Sequence, residues 1–181
     1  MARPDGSGGG ARVRVWDLAV RAGHWLLVTA VATTWLTQEG RRTLHENVGY
    51  VALAIVALRV AWGFFGSPHA RFSDFVCGPR ATLRYARQLL AGRAPRHLGH
   101  NPLGGWMALV LLALVAATGA SGWLYTTDRY WGVEWVEELH GALSDALMIA
   151  VTLHVLGAVA MSWQHRENLV AAMVHGWKRR H

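Results

Sequence analysis

An all-α integral membrane protein, built as a four-transmembrane-helix bundle, is the fold class this sequence predicts, and three observations carry the prediction. The first is composition: 181 residues, 52% hydrophobic, with ten tryptophans and a formal charge of +7. The second is segregation. Apolar and charged residues interleave in a soluble chain, whereas here Leu103–Tyr125 holds no charged residue and Leu139–Trp163 holds one, Asp145. An uncharged apolar run of about 18 or more residues reads as a membrane span, which excludes a soluble enzyme. The third is the uneven distribution of Arg and Lys between alternate loops.

Taken in order, residues 1–13 are polar and Gly-rich and lack the apolar core of a signal peptide, so they read as a disordered cytoplasmic leader. A four-helix domain follows over 14–177, with spans at about 16–37, 45–65, 102–126 and 136–163. The first is apolar around His24, and Arg59 is the one charged residue of Val48–Phe65. Backbone groups in hydrocarbon must bond within their own segment, so each span is expected to be an α-helix. Asn101-Pro102 supplies a cap followed by proline at the first helical position. Gly40 and Gly66 fall just past the first and second spans, where helices end. The loop 67–100 contains a predicted amphipathic helix at 79–91. Leu83, Leu89 and Leu90 are expected on one side and Arg80, Arg84 and Arg87 on the other, suiting a membrane surface of anionic lipid headgroups. Residues 167–177 are expected to form a second interfacial helix.

Fifteen of the 18 basic residues lie at the N-terminal side, in or beside the 67–100 loop, or after the fourth span; only Arg41, Arg42 and Arg129 lie in the other two loops. Those loops also hold Glu39, Glu46, Asp128, Glu134, Glu137 and Glu138. The bias predicts a multi-pass protein of the bacterial inner membrane with both termini cytoplasmic. The positive charge is thereby explained by topology and is not a nucleic-acid footprint.

Ionisable residues inside a span are costly and point to function. Four histidines qualify: His24, His45, His140 and His154. Fourteen residues separate the last two, which on an α-helix is about 21 Å of rise and within about 40° of a whole number of turns. They therefore face the same way at two depths. Antiparallel helices then place His24 beside His154 in the inner half and His45 beside His140 near the outer face. Two neutral imidazoles facing each other across a bundle suit the two axial positions of a b-type haem, and a filled coordination sphere favours electron transfer. The single cysteine, Cys77, excludes an intrachain disulfide, a Cys-rich zinc module and covalent haem attachment through Cys-x-x-Cys-His. Transport or binding of a transition-metal ion is the alternative, but its ligands would gather at one depth with carboxylates. A membrane anchor with structural haems is a third reading.

Arg59 lies 14 residues after His45 and repeats that geometry on the second helix, which makes it a candidate partner for a haem propionate; snorkelling to the headgroups is the other reading. His97 and His100 precede the third span, and His100 is the candidate to exchange a proton with a quinone. Asp145, one turn from His140, is a candidate to orient that imidazole. Gly23, Gly49, Gly141 and Gly157 stand near the histidines and leave room for flat macrocycles.

The ordered motifs Arg14-Val15-Trp16-Asp17, Gly23-His24-Trp25 and Leu44-His45-Glu46-Asn47-Val48-Gly49-Tyr50 resemble the bacterial cytochrome b561 family and the related b-type cytochrome subunits of nickel-iron hydrogenases. So do Arg71-Phe72-Ser73-Asp74-Phe75-Val76, Leu98-Gly99-His100-Asn101-Pro102-Leu103-Gly104-Gly105-Trp106 and His165-Arg166-Glu167-Asn168-Leu169-Val170. The resemblance covers about residues 13–175. It implies a four-helix bundle with two non-covalent haem b groups and four axial histidines, falling on His24, His45, His140 and His154. It also implies electron exchange between a quinone (ubiquinone or menaquinone) and a periplasmic partner: a hydrogenase, a c-type cytochrome or superoxide. A homodimer is the alternative to a monomer. An acidic outer loop, Asp128–Glu138, would suit a basic partner.

Overall fold

The computed structural model describes residues 12–179, and the chain there is mostly helical. A short strand β1 (Arg12–Arg14) leads into α1 (Leu18–Leu36) and α2 (Arg42–Phe65). The segment between α2 and the next long helix holds a 3-10 turn (Pro68–Ala70), a single helical turn α3 (Phe72–Phe75) and α4 (Pro79–Leu90). Then come α5 (Pro102–Tyr125), α6 (Glu134–Gln164), α7 (Leu169–His175) and strand β2 (Trp177–Arg179).

Three helices, α2, α5 and α6, are long and apolar enough to cross a membrane. The 19-residue α1 is less apolar, because Arg21, His24 and three threonines interrupt it. Those threonines back-bond their hydroxyls to the preceding turn: Thr29 to Trp25 O, Thr33 to Thr29 O and Thr34 to Val31 O. Such bonds remove the need for water at the side chain. Between the two levels of histidines, Ala30, Ala52, Val56, Val115 and Leu147 close the centre of the bundle. They come from all four long helices, and their small size brings the backbones together.

Local chemistry explains the helix ends. The Asn101 side chain accepts from Gly104 N at 2.7 Å, with Pro102 at the first helical position. Thr37 caps the end of α1, and Gly40, with φ +75, makes the left-handed turn just before α2 rather than the helix stop its position predicted. Gly66, by contrast, is extended, so the end of α2 is not the left-handed cap its position predicted. Asp17 caps α1 by accepting from Val20 N at 2.7 Å and also accepts from Trp62 Nε1 at 3.1 Å and from the Ser67 hydroxyl. One carboxylate thus ties the start of α1 to the end of α2.

Three expectations need correction. Residues 1–11 lie outside the described residues, but Arg12 and Val13, assigned to the leader, pair antiparallel with Arg179 and Lys178. The tail is shorter in helix than 167–177, because Gly176 (φ +87) ends α7 and redirects the chain into β2. On α4, Leu83 and Leu90 lie exposed among the arginines, while Tyr85 is buried and Leu89 half-buried against the bundle. Leu83 therefore shares the side of the arginines instead of lying opposite them, and Tyr85 is what packs against the bundle.

Gly176 carries this terminal clasp. Its carbonyl accepts from Val15 N at 2.9 Å and Trp16 N at 3.2 Å, and a Cβ there would lie 2.7 Å from Trp16 O. Left-handed backbone costs an ordinary residue about 1–2 kcal/mol, and the clash adds to that. Gly176→Ala is expected to lower the thermal midpoint by several degrees in detergent, read by circular dichroism, whereas Gly132→Ala, which has φ +71 but open space around it, is expected to cost less.

Candidate functional site

α6 carries His140 and His154 on one face, and each meets a histidine from another helix. The His24 ring lies 6.4 Å from the His154 ring, centre to centre, and the His45 ring lies 6.1 Å from the His140 ring. The structure thus brings the four sequence-predicted histidines together as two pairs at two levels, with the apolar layer around Val56, Val115 and Leu147 between them.

The spacing can be tested against a shared metal ion. A metal stands ~2 Å from a ligating imidazole nitrogen. Ring bonds of about 1.33 Å put that nitrogen about 1.1 Å from the ring centre, so two imidazoles sharing an ion have centres about 6 Å apart. Both pairs meet that spacing. Each pair thus has the spacing at which two imidazoles could share one ion; among the described residues no group of three His, Cys, Asp or Glu is placed to hold a metal ion.

The ring tautomers follow from hydrogen bonds. His45 Nδ1 lies 2.9 Å from Thr34 O, and His140 Nδ1 lies 3.0 Å from Thr118 O. A carbonyl only accepts, so the proton of each ring sits on Nδ1 and the Nε2 lone pair is left free. Ser121 Oγ, 3.1 Å from His140 Nδ1, itself donates to Thr118 O and completes that bracket. Gly122 makes room for the ring, since a Cβ there would approach His140 Cε1 to 2.9 Å. Around the other pair, Trp25 stands edge-on to His24 at 5.2 Å, and His24 Nδ1 is buried with no partner among the described residues. Gly23, Gly49, Gly141 and Gly157 have nothing within 4 Å of where a Cβ would stand, so space lies open beside the histidines.

The remaining candidates divide. Arg59 turns inward rather than to the headgroups: its Nη2 donates to Ala70 O at 3.1 Å, it lies 5.5 Å over the Phe72 ring, and its Nη1 is buried without a partner among the described residues. His100 is not a solvated loop residue. It is packed between Trp16 at 4.8 Å and Phe75 at 4.6 Å, with Nδ1 buried and unpartnered among the described residues. His97 stays outside this group, bonding locally to Pro95 O and packing on Tyr85 at 5.3 Å. Asp145 is exposed and does not orient His140; the Thr118 carbonyl and Ser121 do so instead.

Sequence reasoning missed the carbonyls of Thr34 and Thr118, because a backbone acceptor has no residue signature. It also missed Lys178, only 5% exposed and 5.8 Å over the Trp16 ring. The Asp17 cap had a signal that went unread, an acidic residue directly before an apolar run.

Comparison with known proteins bears on the same residues. Residues 15–176 match the family described as prokaryotic cytochrome b561. A probable Ni/Fe-hydrogenase B-type cytochrome subunit of Azotobacter vinelandii is 31% identical over 170 residues, covering 76% of this chain and 68% of that one. Proteins of the same description are 22% identical in Rhizobium leguminosarum, over 91% of this chain and 87% of that one, and 24% identical in Rhodobacter capsulatus, over 91% and 80%. No solved structure matches the chain.

Burial of His100 has a measurable consequence. Burial first, and then the positive charges of Arg59 and Lys178, pull its proton affinity from the ordinary 6.5 down to about 3. The unfolded chain binds a proton near 6.5 and the folded chain does not, so this residue's contribution to stability is complete above that pH and is lost as pH falls toward about 3. The loss is at most about 1.4 kcal/mol per pH unit. The thermal midpoint is expected to drop between pH 7 and pH 5, and His100→Phe, which keeps the packing on Trp16 and Phe75, is expected to flatten that slope.

Proposed function

The chain belongs to the prokaryotic cytochrome b561 family, and from that premise we propose that it is a dihaem b-type cytochrome carrying electrons across the inner membrane between the quinone pool and a periplasmic redox protein. The observation that carries this reading is the pair of histidine pairs, each at the ring spacing of one shared ion and set at two levels of one bundle.

In this reading α1 is the fourth span, both termini are cytoplasmic, and the His24–His154 level is the inner one. His24 and His154 hold one haem b, His45 and His140 the other. Each haem supplies a reversible one-electron change at iron; the protein's part is to fix, insulate and tune it. Thr34 and Thr118 hold the protons of His45 and His140 on Nδ1, which aims Nε2 at the iron and makes it a stronger donor. Held between two histidines of this chain, each haem would have no place left for oxygen and would supply electron transfer. The apolar layer between the levels keeps water out of the path. Arg59 offers its unpartnered Nη1 to a propionate at the inner level. His100, buried beside Arg59 with Nδ1 unpartnered, is the group that exchanges a hydrogen bond or proton with a quinone. At the outer end the proposed partner is a nickel-iron hydrogenase, on the strength of the relatives' description.

Acidified organic solvent is expected to extract two haems per chain and leave none on the polypeptide, and each is expected to change its visible spectrum on reduction. His24→Ala and His154→Ala should disturb one and the same haem, while His45→Ala and His140→Ala disturb the other. A single haem, or the same loss from His24→Ala and His45→Ala, would overturn the assignment; a metal-transport protein would give no haem spectrum.

Arg59→Gln tests the tuning role. Removing a positive charge beside the inner haem disfavours its reduced form less shielded by that charge, so its reduction potential is expected to fall while the outer one stays in place. A redox titration with both haems retained reads both; an unshifted inner haem would return Arg59 to a purely structural bond with Ala70.

A further inference from the structure

α4 ends in a motif that gathers positive charge. Gly92 (φ +68) turns the chain back, with Arg93 N bonded to Gln88 O at 2.8 Å and Gly92 N to Leu89 O at 3.0 Å. This is the left-handed helix stop in which the two residues past the cap reach back into the last turn. It returns Arg93 to the helix surface on which Arg80, Arg84 and Arg87 recur three and four residues apart. Together with Leu83 and Gln88 they line an open cleft of about 600 Å³.

Two features of the cleft ask for an occupant. None of the four arginines forms an ion pair among the described residues, where the ion pairs are those of Arg42, Arg71 and Arg96. Like charges at these spacings weaken a helix unless anions neutralise them. Beside the guanidinium groups, Leu83 is 54% and Leu90 is 90% exposed, which water disfavours. The helix also lies at the level where the long apolar helices end. Tyr85 Oη reaches Met161 Sδ at 3.9 Å near the end of α6, and Trp106 Nε1 donates to Cys77 O at 3.0 Å from the first turns of α5.

We propose that this cleft is a binding site for an anionic phospholipid, with Arg80, Arg84, Arg87 and Arg93 on the headgroup phosphate and Leu83 and Leu90 against the glycerol and upper acyl chain. Charge complementarity selects a net negative headgroup over a zwitterionic one. The exposed leucines select a lipid over free phosphate, since an inorganic ion would leave them in water. The inference goes beyond electron transfer and stands without it.

The test is lipid retention by the purified full chain with its haems bound, counted by native mass spectrometry during titration with phosphatidylglycerol or with phosphatidylcholine of the same acyl chains. Each arginine near an anionic surface is worth about a fivefold change in affinity. Arg80→Gln, Arg84→Gln and Arg87→Gln combined are therefore expected to weaken phosphatidylglycerol binding on the order of a hundredfold, while the same positions changed to Lys keep most of it. Phosphatidylcholine is expected to bind weakly to all three proteins. If the triple Gln variant does not fold, the salt dependence of the unmodified protein decides, because phosphate contacts must weaken as ionic strength rises. Phosphatidylglycerol retention that ignores the substitutions or the salt, equal retention of phosphatidylcholine, or displacement of the lipid by millimolar inorganic phosphate would overturn the proposal.

Discussion

An imidazole inside hydrocarbon has two nitrogens to satisfy and no water to do it, and the bundle is arranged around that requirement. His45 and His140 give Nδ1 to helix carbonyls of Thr34 and Thr118, so each ring is fixed by a neighbouring helix and its other nitrogen is left free. A carbonyl inside a helix normally serves its own ladder and has a second lone pair to offer. At this level close packing therefore does most of the work, with the Ser121 hydroxyl as the polar side chain beside His140. Small residues supply it: Gly122 admits the His140 ring, and Ala30 and Ala52 let α1 and α2 approach.

The end of the bundle beside the His24–His154 pair follows a different logic. There, charged groups are buried together and satisfy one another through the backbone. Asp17 binds Val20 N, Trp62 and Ser67. Glu167 binds Arg96 at 2.8 Å, and Arg96 in turn donates to Arg179 O at 2.7 Å. Arg59 and His100 are left at the middle of this frame with polar atoms facing no partner among the described residues. Orphaned buried donors are rare because each costs free energy of desolvation. Their clustering next to the His24–His154 pair is what makes this end the more reactive of the two in the proposed reading.

Much of this was legible in the sequence, for reasons that can be named. Helices in hydrocarbon announce themselves by uninterrupted apolar runs, and α5 and α6 start and stop within two residues of where Asn101-Pro102 and the acidic outer loop put them. The meeting of the four rings in pairs was legible because a separation of 14 residues on one helix fixes both facing and depth. What was hidden depends on contacts between distant segments. The pairing of Val13 with Lys178 and the enclosure of His100 by Trp16 and Phe75 leave no local periodicity. The separation of leucines from arginines on α4 was misjudged at Leu83, which lines the same cleft as Arg80, Arg84 and Arg87, while Tyr85 seats against Met161.

The antiparallel pairing of β1 with β2 also sets an order of events. β1 is made first and β2 follows all four long helices, so the ladder closes only when the rest of the described chain has been synthesised and inserted. Until then Val15 and Trp16 lack their bonds to Gly176, and the wall they form beside His100 is unfinished. The His24–His154 end of the bundle thus depends on the last-made strand, whereas the His45–His140 level, bracketed within α1, α2, α5 and α6, does not.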